Sequence, residues 1–283
     1  MEKSAMLATY LADRLRIRGK PDVALIAEKL GLEVREVDAE TFDGALVRVH
    51  DRRGGIIAIK ASILEPGRKR FTIAHEIGHY LLPGHYQLGA CVPEVLERWA
   101  SGLPAPELDA NEFASELLLP TRYVRPMLAL GHPDFAKIQR TATEYETSLT
   151  ATTRKFLQLT EDPCAMVWSS AGVIRWYQRS EACTVFIRTG PLDPESRAAD
   201  LFRGGRQEKP IFERVSSDVW ISPPGDETVE RVLECSVFLR NYDSVLTLLW
   251  IESEIPLRSE SDELLEELDP SEFTLDRKTW PKK

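Results

Sequence analysis

Paired cysteines, long apolar runs and basic clusters are all scarce in this 283-residue sequence. The four cysteines lie far apart and none forms a CxxC pair, so we expect free, buried thiols in a reducing compartment. No segment approaches the roughly 20 apolar residues of a membrane helix, and the first residues lack the apolar core of a signal peptide. We therefore expect a cytoplasmic protein that does not span a membrane.

Positive charge is also in short supply. The chain has 36 Lys and Arg against 45 Asp and Glu, for a net charge of -9. Proteins that bind nucleic acids usually present basic surfaces, so direct DNA binding is not expected as the main role. The acidic excess is greatest from 252 to 276, with ten acidic residues and one basic residue. We interpret this stretch as a solvated face or tail.

The hydrophobic content of 43% is ample for two or three folded domains. The spacing of apolar residues and the positions of turn residues predict an α+β chain, and the predicted secondary structure divides it into three segments. We expect an α-rich domain with a small antiparallel sheet at 1–128, a helix-turn-helix or winged-helix-like segment at 129–180, and an α+β domain with an acidic tail at 181–283.

Individual elements follow from the same patterns. Asp22 is a suitable N-cap and Gly31 a suitable C-terminal stop for a short helix. Two β-rich segments flank Arg52-Arg53-Gly54 and predict a hairpin. Further helices are expected at 5–17, 65–82, 107–119, 134–145 and 148–159, with a second hairpin around Ser170-Ala171.

The segment His75-Glu76-Ile77-Gly78-His79 has the pattern HExxH within a predicted helix. Residues four apart share a helix face, so both imidazoles can bind one metal ion. A catalytic zinc site needs three protein ligands and an open position for water. Glu76 is rotated away from the histidines, where it can act as a general base towards that water. Apolar residues surround the motif, so its helix is expected to be buried, and buried polar side chains need partners. A metal ion is one such partner. The alternative is a cluster of polar side chains that are hydrogen-bonded in the core and hold no metal.

The third ligand must come from another segment, and the helix that begins near Glu107 is the best source. Its small residues Ala110 and Ala114 lie on the same face, and Gly78 offers matching room on the first helix. Glu107 would then reach the metal, and Asn111 would orient a ligand. The competing groups are Asp109, Glu112 and Glu116 (the last two expected in solvent), His85 (a loop residue, substrate contact or ligand), and His50 and His132 (surface residues).

The two motifs together resemble one family. RFTIAHEIGHYLL followed by ELDANEFASELLLP is similar to the ImmA/IrrE metallopeptidases, and the resemblance covers 20–125. It implies a gluzincin-like fold with His75, His79 and Glu107 as ligands of one Zn²⁺ per chain, Glu76 as general base, and Mn²⁺ as the alternative activating metal. Family members often carry another histidine soon after the helix, where this chain has Pro83-Gly84-His85.

The resemblance also implies a biological role. Members of the ImmA/IrrE family resemble proteases that cleave a helix-turn-helix repressor and so switch on stress, DNA-damage or mobile-element genes. The order of segments is similar to the IrrE-type radiation-response proteases, whose last domain resembles a GAF fold. We therefore expect a zinc metalloendopeptidase with a repressor as its substrate.

Two other functions remain open on the sequence. Residues 134–177 could bind DNA, which would make the chain a transcription regulator or protein-binding module with a vestigial peptidase domain. Residues 181–252 could receive a small-molecule or redox signal, with a pocket lined by Trp220, Phe212, Phe238 and Tyr242.

For a peptidase, the sequence also suggests where the substrate binds and which residues could stabilise the oxyanion. The edge of the small sheet, at 45–60, would hold the substrate as an added strand. The candidates for stabilising the oxyanion, by their chemistry alone, are Tyr80, Tyr86, Arg122 and Tyr145.

Overall fold

The computed structural model describes residues 3–48, 54–85, 104–206, 209–222 and 229–253. It has mixed α+β architecture, with a helix-rich N-terminal part and a sheet-rich C-terminal part, as the sequence predicts. Among the described residues, none of the helices combines the length and the apolar composition needed to cross a membrane. Cys91, His50, Tyr86 and the acidic tail lie outside the described residues, apart from the first residues of that tail.

Two short helices begin the chain. Helix α1 spans Lys3–Arg14 and buries Ala8 and Leu11 in the N-terminal core. Helix α2 spans Val23–Lys29, and Asp22 caps it by accepting hydrogen bonds of 3.1 Å from two backbone amides of its first turn. Gly31 follows the helix with a φ of +77°, a conformation that glycine adopts without strain. The predicted N-cap and C-terminal stop are therefore confirmed.

The N-terminal sheet has three strands in the order β1-β3-β2. Strand β1 (Leu32–Val37) runs parallel to β3 (Gly55–Lys60), and β2 (Gly44–Arg48) runs antiparallel to β3. The predicted hairpin is therefore confirmed, but the prediction of an antiparallel sheet is wrong, because β1 joins β3 in parallel and makes the sheet mixed. Strand β3 lies in the middle and buries Ile57 and Ile59, while β2 lies at an edge.

Two longer helices complete the N-terminal part. Helix α3 spans Pro66–Leu81 and contains the HEIGH segment, and α4 spans Ala105–Leu118. Proline in the first turn of each helix is compatible with helix formation, because the amides there have no partner within the helix. The two helices pack together over a core that also includes α1, α2 and the sheet.

A group of three helices follows. Helix α5 (Thr121–Leu128) precedes α6 (Phe135–Tyr145) and α7 (Leu149–Leu159), and the last two match the predicted helical pair. Helix α5 is not among the helices expected from the sequence; Pro120 precedes it and Pro126 lies inside it. It nevertheless buries Val124 and Leu128, which are one turn apart, against the other helices of the group.

The C-terminal sheet has six strands, with the bounds Cys164–Ser170 for β4, Val173–Arg179 for β5, Gly190–Pro191 for β6, Glu213–Ser216 for β7, Val229–Leu239 for β8 and Ser244–Ser253 for β9. Their order in the sheet is β6-β5-β4-β9-β8-β7. Strands β4 and β5 form the hairpin predicted around Ser170-Ala171, and β4 pairs along its whole length with β9. The sheet therefore crosses the boundary predicted at residue 180.

Both faces of this sheet are covered. Cys164 and Met166 point towards α6 and α7, whereas Ala165 and Val167 point to a second core with helix α8 (Arg197–Phe202). This alternation gives strand β4 its apolar character on both sides. Short 3-10 helices at Ser217–Val219 and Arg240–Tyr242 complete the connections.

The cysteines described by the structure are free and buried. Burial raises the pKa of the Cys235 thiol to about 12, and it raises the pKa of Cys164 further. Both thiols therefore stay protonated at neutral pH and are poor nucleophiles. This agrees with the expectation of small apolar core residues.

Candidate metal centre

Helix α3 brings both histidines of the HEIGH segment to one point. His75, Glu76 and His79 are all buried, and the Nε2 atoms of the two imidazoles lie 2.9 Å apart. The separation of four residues explains this, because it is close to one helical turn. Two nitrogen donors at this distance inside a protein point to a shared ligand.

Helix α4 adds a third donor. Oε2 of Glu107 lies 3.2 Å from Nε2 of His75 and 3.4 Å from Nε2 of His79. Tetrahedral zinc with bonds of roughly 2.0–2.1 Å places its ligand atoms about 3.3 Å apart. The triangle of donors is close to that size, so these three residues could hold a metal ion.

The charge of the site also suits a cation. Burial by itself would raise the pKa of Glu107, but hydrogen bonding with His75 and His79 outweighs it and lowers the pKa to about 2. Glu107 is therefore ionised at neutral pH. Two neutral imidazoles and one carboxylate form a common ligand set of catalytic zinc.

Asn111 fixes the orientation of His75. Its side-chain oxygen lies 2.9 Å from Nδ1 of His75, and both side chains are buried. An amide oxygen only accepts hydrogen bonds, so Nδ1 of His75 carries the proton and Nε2 is left with its lone pair. The predicted orienting role of Asn111 agrees with this contact.

His85 contacts the other ligand. It is buried, and its Nδ1 atom lies 2.9 Å from Nδ1 of His79. The interpretation of His85 as an exposed loop residue is therefore wrong. Burial and the neighbouring His79 lower the pKa of His85, so it is neutral and can accept the Nδ1 proton of His79.

Strand β2 passes directly over the glutamate of the motif. A Cβ atom on Gly44 would lie 2.7 Å from Oε1 of Glu76 and 2.5 Å from Cγ2 of Thr72. Only glycine allows so close an approach. Nε of Arg68 donates to Oδ2 of the buried Asp43 at 2.9 Å, which ties the start of this strand to α3. Sequence reasoning missed this contact; the Asp43-Gly44 pair at the start of the strand is a signal that could have indicated it.

The competing carboxylates have other roles. Asp109 is 3.9 Å from Nε2 of His85, and Glu112 accepts a hydrogen bond from Ser4. Glu116 is buried and binds Nζ of Lys155 at 2.7 Å, so the expectation that it is solvated is wrong.

The candidate oxyanion residues in the described part make contacts with groups other than the metal ligands. Arg122 is exposed and forms an ion pair with Asp13, and Tyr145 is buried in the core of the helical group. The hydroxyl of Tyr80 accepts a hydrogen bond from the amide of Gly54 at 3.0 Å.

The helical group has both buried and exposed basic residues. Arg154 and Lys155 are buried, and Lys137 donates to the carbonyls of Leu130 and His132. Arg122, Arg125 and Arg140 are exposed. His132 is exposed, as expected, and packs against Trp250.

Comparison with known proteins agrees with this geometry. Residues 27–156, just under half of the chain, match the Peptidase M78 family model, described as the IrrE N-terminal-like domain. A solved structure titled "Mycobacterium tuberculosis transcriptional regulator" is similar over 89% of this chain and 76% of its own, with a TM-score of 0.53 and 16% identity. At that identity the likeness concerns the fold alone. No curated protein matches the chain.

Proposed function

We propose that the chain, whose residues 27–156 match the IrrE N-terminal-like family model, is a zinc-dependent endopeptidase. The observation that carries the proposal is the convergence of three buried donors, on His75, His79 and Glu107. The carboxylate of Glu76 lies on the same helix, one residue after the first ligand.

The proposed roles follow from the chemistry of each group. Zinc held by the three ligands would supply a Lewis acid that makes a water molecule acidic. Glu76 accepts a proton from that water on its carboxylate, while the oxygen bonds to the peptide carbonyl carbon. When the C–N bond breaks, the same carboxylate passes the proton to the leaving nitrogen. Asn111 and His85 hold the two imidazoles in the required tautomers.

The substrate would lie along strand β2. This strand is at the edge of the three-stranded sheet, and its first residue contacts Glu76. An extended peptide added at this edge would have its carbonyl groups next to the metal centre. A substrate cleaved at the normal rate by a variant in which Leu46 is replaced by proline would contradict this placement, because proline removes a backbone donor and disturbs the strand.

We propose a helix-turn-helix repressor as the substrate, with derepression of stress, DNA-damage or mobile-element genes as the outcome. The support is the match to the IrrE N-terminal-like model. The test is incubation of zinc-loaded protein with the repressor encoded nearest to it, with Glu76→Gln as the inactive control. Cleavage by the wild type alone is the expected result.

The metal is tested first, by elemental analysis of wild type and Glu107→Ala. About one zinc per chain is expected in the wild type, with less in the variant. Glu112→Ala is the matched control on the same helix, because Glu112 contacts Ser4 instead. Wild type that retains no metal after zinc loading and dialysis would overturn the proposal.

The second candidate is a transcription regulator with an inactive peptidase domain. The observation that favours it is the similarity in fold to the mycobacterial protein titled a transcriptional regulator. The burial of Arg154 and Lys155 weighs against it, because DNA affinity depends on accessible basic residues. Salt-dependent retention of the purified protein on DNA, without cleavage of any repressor, would favour the regulator.

A further inference from the structure

A cavity of about 600 Å³ lies where the N-terminal part, the helical group and the C-terminal sheet meet. Its walls come from the first turns of α3 and α7, from the end of α4, from β4 and β5, and from the turn between β8 and β9. Its volume is within the range of roughly 300–1,000 Å³ that is typical of small-molecule sites. It is separate from the metal centre, because His75, His79 and Glu107 do not line it.

One side of the cavity is aromatic. The rings of Trp168 and Trp176 are stacked, with centroids 5.7 Å apart and planes inclined by 7°. Tyr242 meets Trp168 edge-on at 5.8 Å, and Phe71 and Phe238 also line the space. Such a wall favours a planar or apolar molecule.

A buried cation lies beside this wall. Arg154 is only 8% exposed, and its guanidinium is 5.2 Å from the centroid of the Trp176 ring. Burial lowers the pKa of this guanidinium to about 10, so it is still charged at neutral pH. An anion in the cavity would lie within reach of Arg154, and hydrogen bonds between a guanidinium and an anionic group are among the stronger ones in proteins.

Two helix N-termini add positive potential at the same place. A Cβ atom on Gly67, in the first turn of α3, would lie 3.0 Å from the backbone nitrogen of Ser148, the N-cap of α7. Both helices are long enough to carry a substantial dipole, and their N-terminal ends favour anions.

The charges of the lining residues point the same way. Among the described residues of the wall, the cations are Arg154, Arg240 and Arg68, of which Arg68 already pairs with Asp43, and the carboxylate is Glu65. Glu65 already accepts hydrogen bonds from Asn241, at 3.2 Å, and from Tyr242. The cavity is therefore suited to a negatively charged ligand rather than to a cation.

We propose that this cavity binds a small organic anion, with its acidic group towards Arg154 and the first turns of α3 and α7, and its planar or apolar body against the two tryptophans. This site differs from the pocket expected from sequence around Trp220. Trp220 belongs to the core on the other face of the sheet and donates from Nε1 to Glu234 at 2.8 Å. Of the four aromatic residues expected there, Phe238 and Tyr242 line the cavity.

The test is isothermal titration calorimetry on the full-length protein with two probes of the same planar body and opposite charge, 2-naphthoate and 2-naphthylmethylamine. We expect the carboxylate to bind at least tenfold more tightly than the amine. Equal binding of the two probes, or no binding of 2-naphthoate, would overturn the proposal. Peptidase activity is not needed for this measurement, so its outcome is independent of the proposed function.

Two variants locate the binding. Arg154→Met removes the charge, and Ser115→Phe places a large side chain in the cavity with Arg154 intact. Each should weaken the binding of 2-naphthoate at least tenfold, whereas Arg140→Met, at an exposed arginine of α6, should leave it unchanged. If Arg154→Met does not fold, Ser115→Phe decides: wild-type affinity in that variant would refute the assignment.

Discussion

Gly78 of α3 lies directly against Ala110 of α4. A Cβ atom on Gly78 would be 3.3 Å from Cα of Ala110 and 3.1 Å from Cδ1 of Phe113. Helices approach this closely only where both present small residues. Since Glu107 is one turn before Ala110, the contact sets how near its carboxylate comes to the two histidines. The small-residue face predicted from sequence is thus confirmed, and it leads to a first test.

Gly78→Val should separate the two helices. The branched side chain cannot fit against Ala110, so we expect a loss of about 1–3 kcal/mol in the free energy of unfolding. The displaced Glu107 should also lower the zinc content. Urea unfolding and elemental analysis measure the two effects. A stable variant with a full complement of zinc would show that the contact does not position Glu107.

Gly44→Ala tests the contact between strand β2 and Glu76. The added methyl group would overlap with both Oε1 of Glu76 and Cγ2 of Thr72, so the glutamate must rotate or the strand must move. The three metal ligands are on other residues, so we expect zinc to be retained and repressor cleavage to fall at least tenfold. A variant with wild-type cleavage would contradict this.

The double variant Gly44→Ala/Thr72→Ser is the matched control. Serine lacks the Cγ2 methyl group, which relieves the contact with Thr72 but leaves the contact with Glu76. We expect recovered thermal stability without recovered cleavage. If cleavage also returned, the defect of the single variant would be a general displacement of the strand.

Asn111→Leu should weaken zinc binding by about ten- to a hundredfold, as the loss of a group that orients a metal ligand typically does. The leucine leaves Nδ1 of His75 without the oxygen that now lies 2.9 Å away. Asn111→Asp keeps an oxygen acceptor at the same place and should retain zinc. Competition with a chelating dye gives both affinities, and equal values for the two variants would contradict the orienting role.

Much of the metal centre could be predicted because its geometry is local. The spacing of His75 and His79 on one helix fixes their relative position, and the small residues of α4 indicate which face meets that helix. The positions of Gly44 and His85 depend on how strand β2 and the segment after α3 pack against that helix. Such contacts leave no periodic pattern in the sequence.

The same distinction explains the fold. The hairpin at Ser170-Ala171 is a local structure with its own turn, and it was predicted. The pairing of β4 with β9 joins residues about eighty positions apart, and it places the hairpin in the C-terminal sheet. The two apolar faces of β4 are the signal that it lies inside a covered sheet and does not form an exposed wing.

His85→Phe should disturb the second histidine ligand. Phenylalanine fills a similar space but cannot accept the Nδ1 proton of His79, which lies 2.9 Å from His85. We expect zinc affinity to fall by about tenfold, at the lower end of the range for such orienting groups. His85→Asn restores an acceptor and should recover part of the affinity. Unchanged affinity in the phenylalanine variant would mean that His79 needs no partner at Nδ1.

The buried pair of Glu116 and Lys155 joins α4 to α7 and gives a stability test. Removing one member leaves the other charge in the core, so Lys155→Met should cost about 3–5 kcal/mol of unfolding free energy. Glu116 also accepts hydrogen bonds from the amide and hydroxyl of Thr121, so its charge cannot move into solvent without breaking them. Urea unfolding of the single variant measures the loss.

The double variant Glu116→Gln/Lys155→Met separates charge from packing. Glutamine keeps an oxygen that can accept the bonds from Thr121 but carries no charge, so most of the lost stability should return. If the double variant is as unstable as Lys155→Met, the uncompensated charge of Glu116 is not the cause of the loss. The size of the recovery therefore measures how much of the contact between α4 and α7 depends on the ion pair.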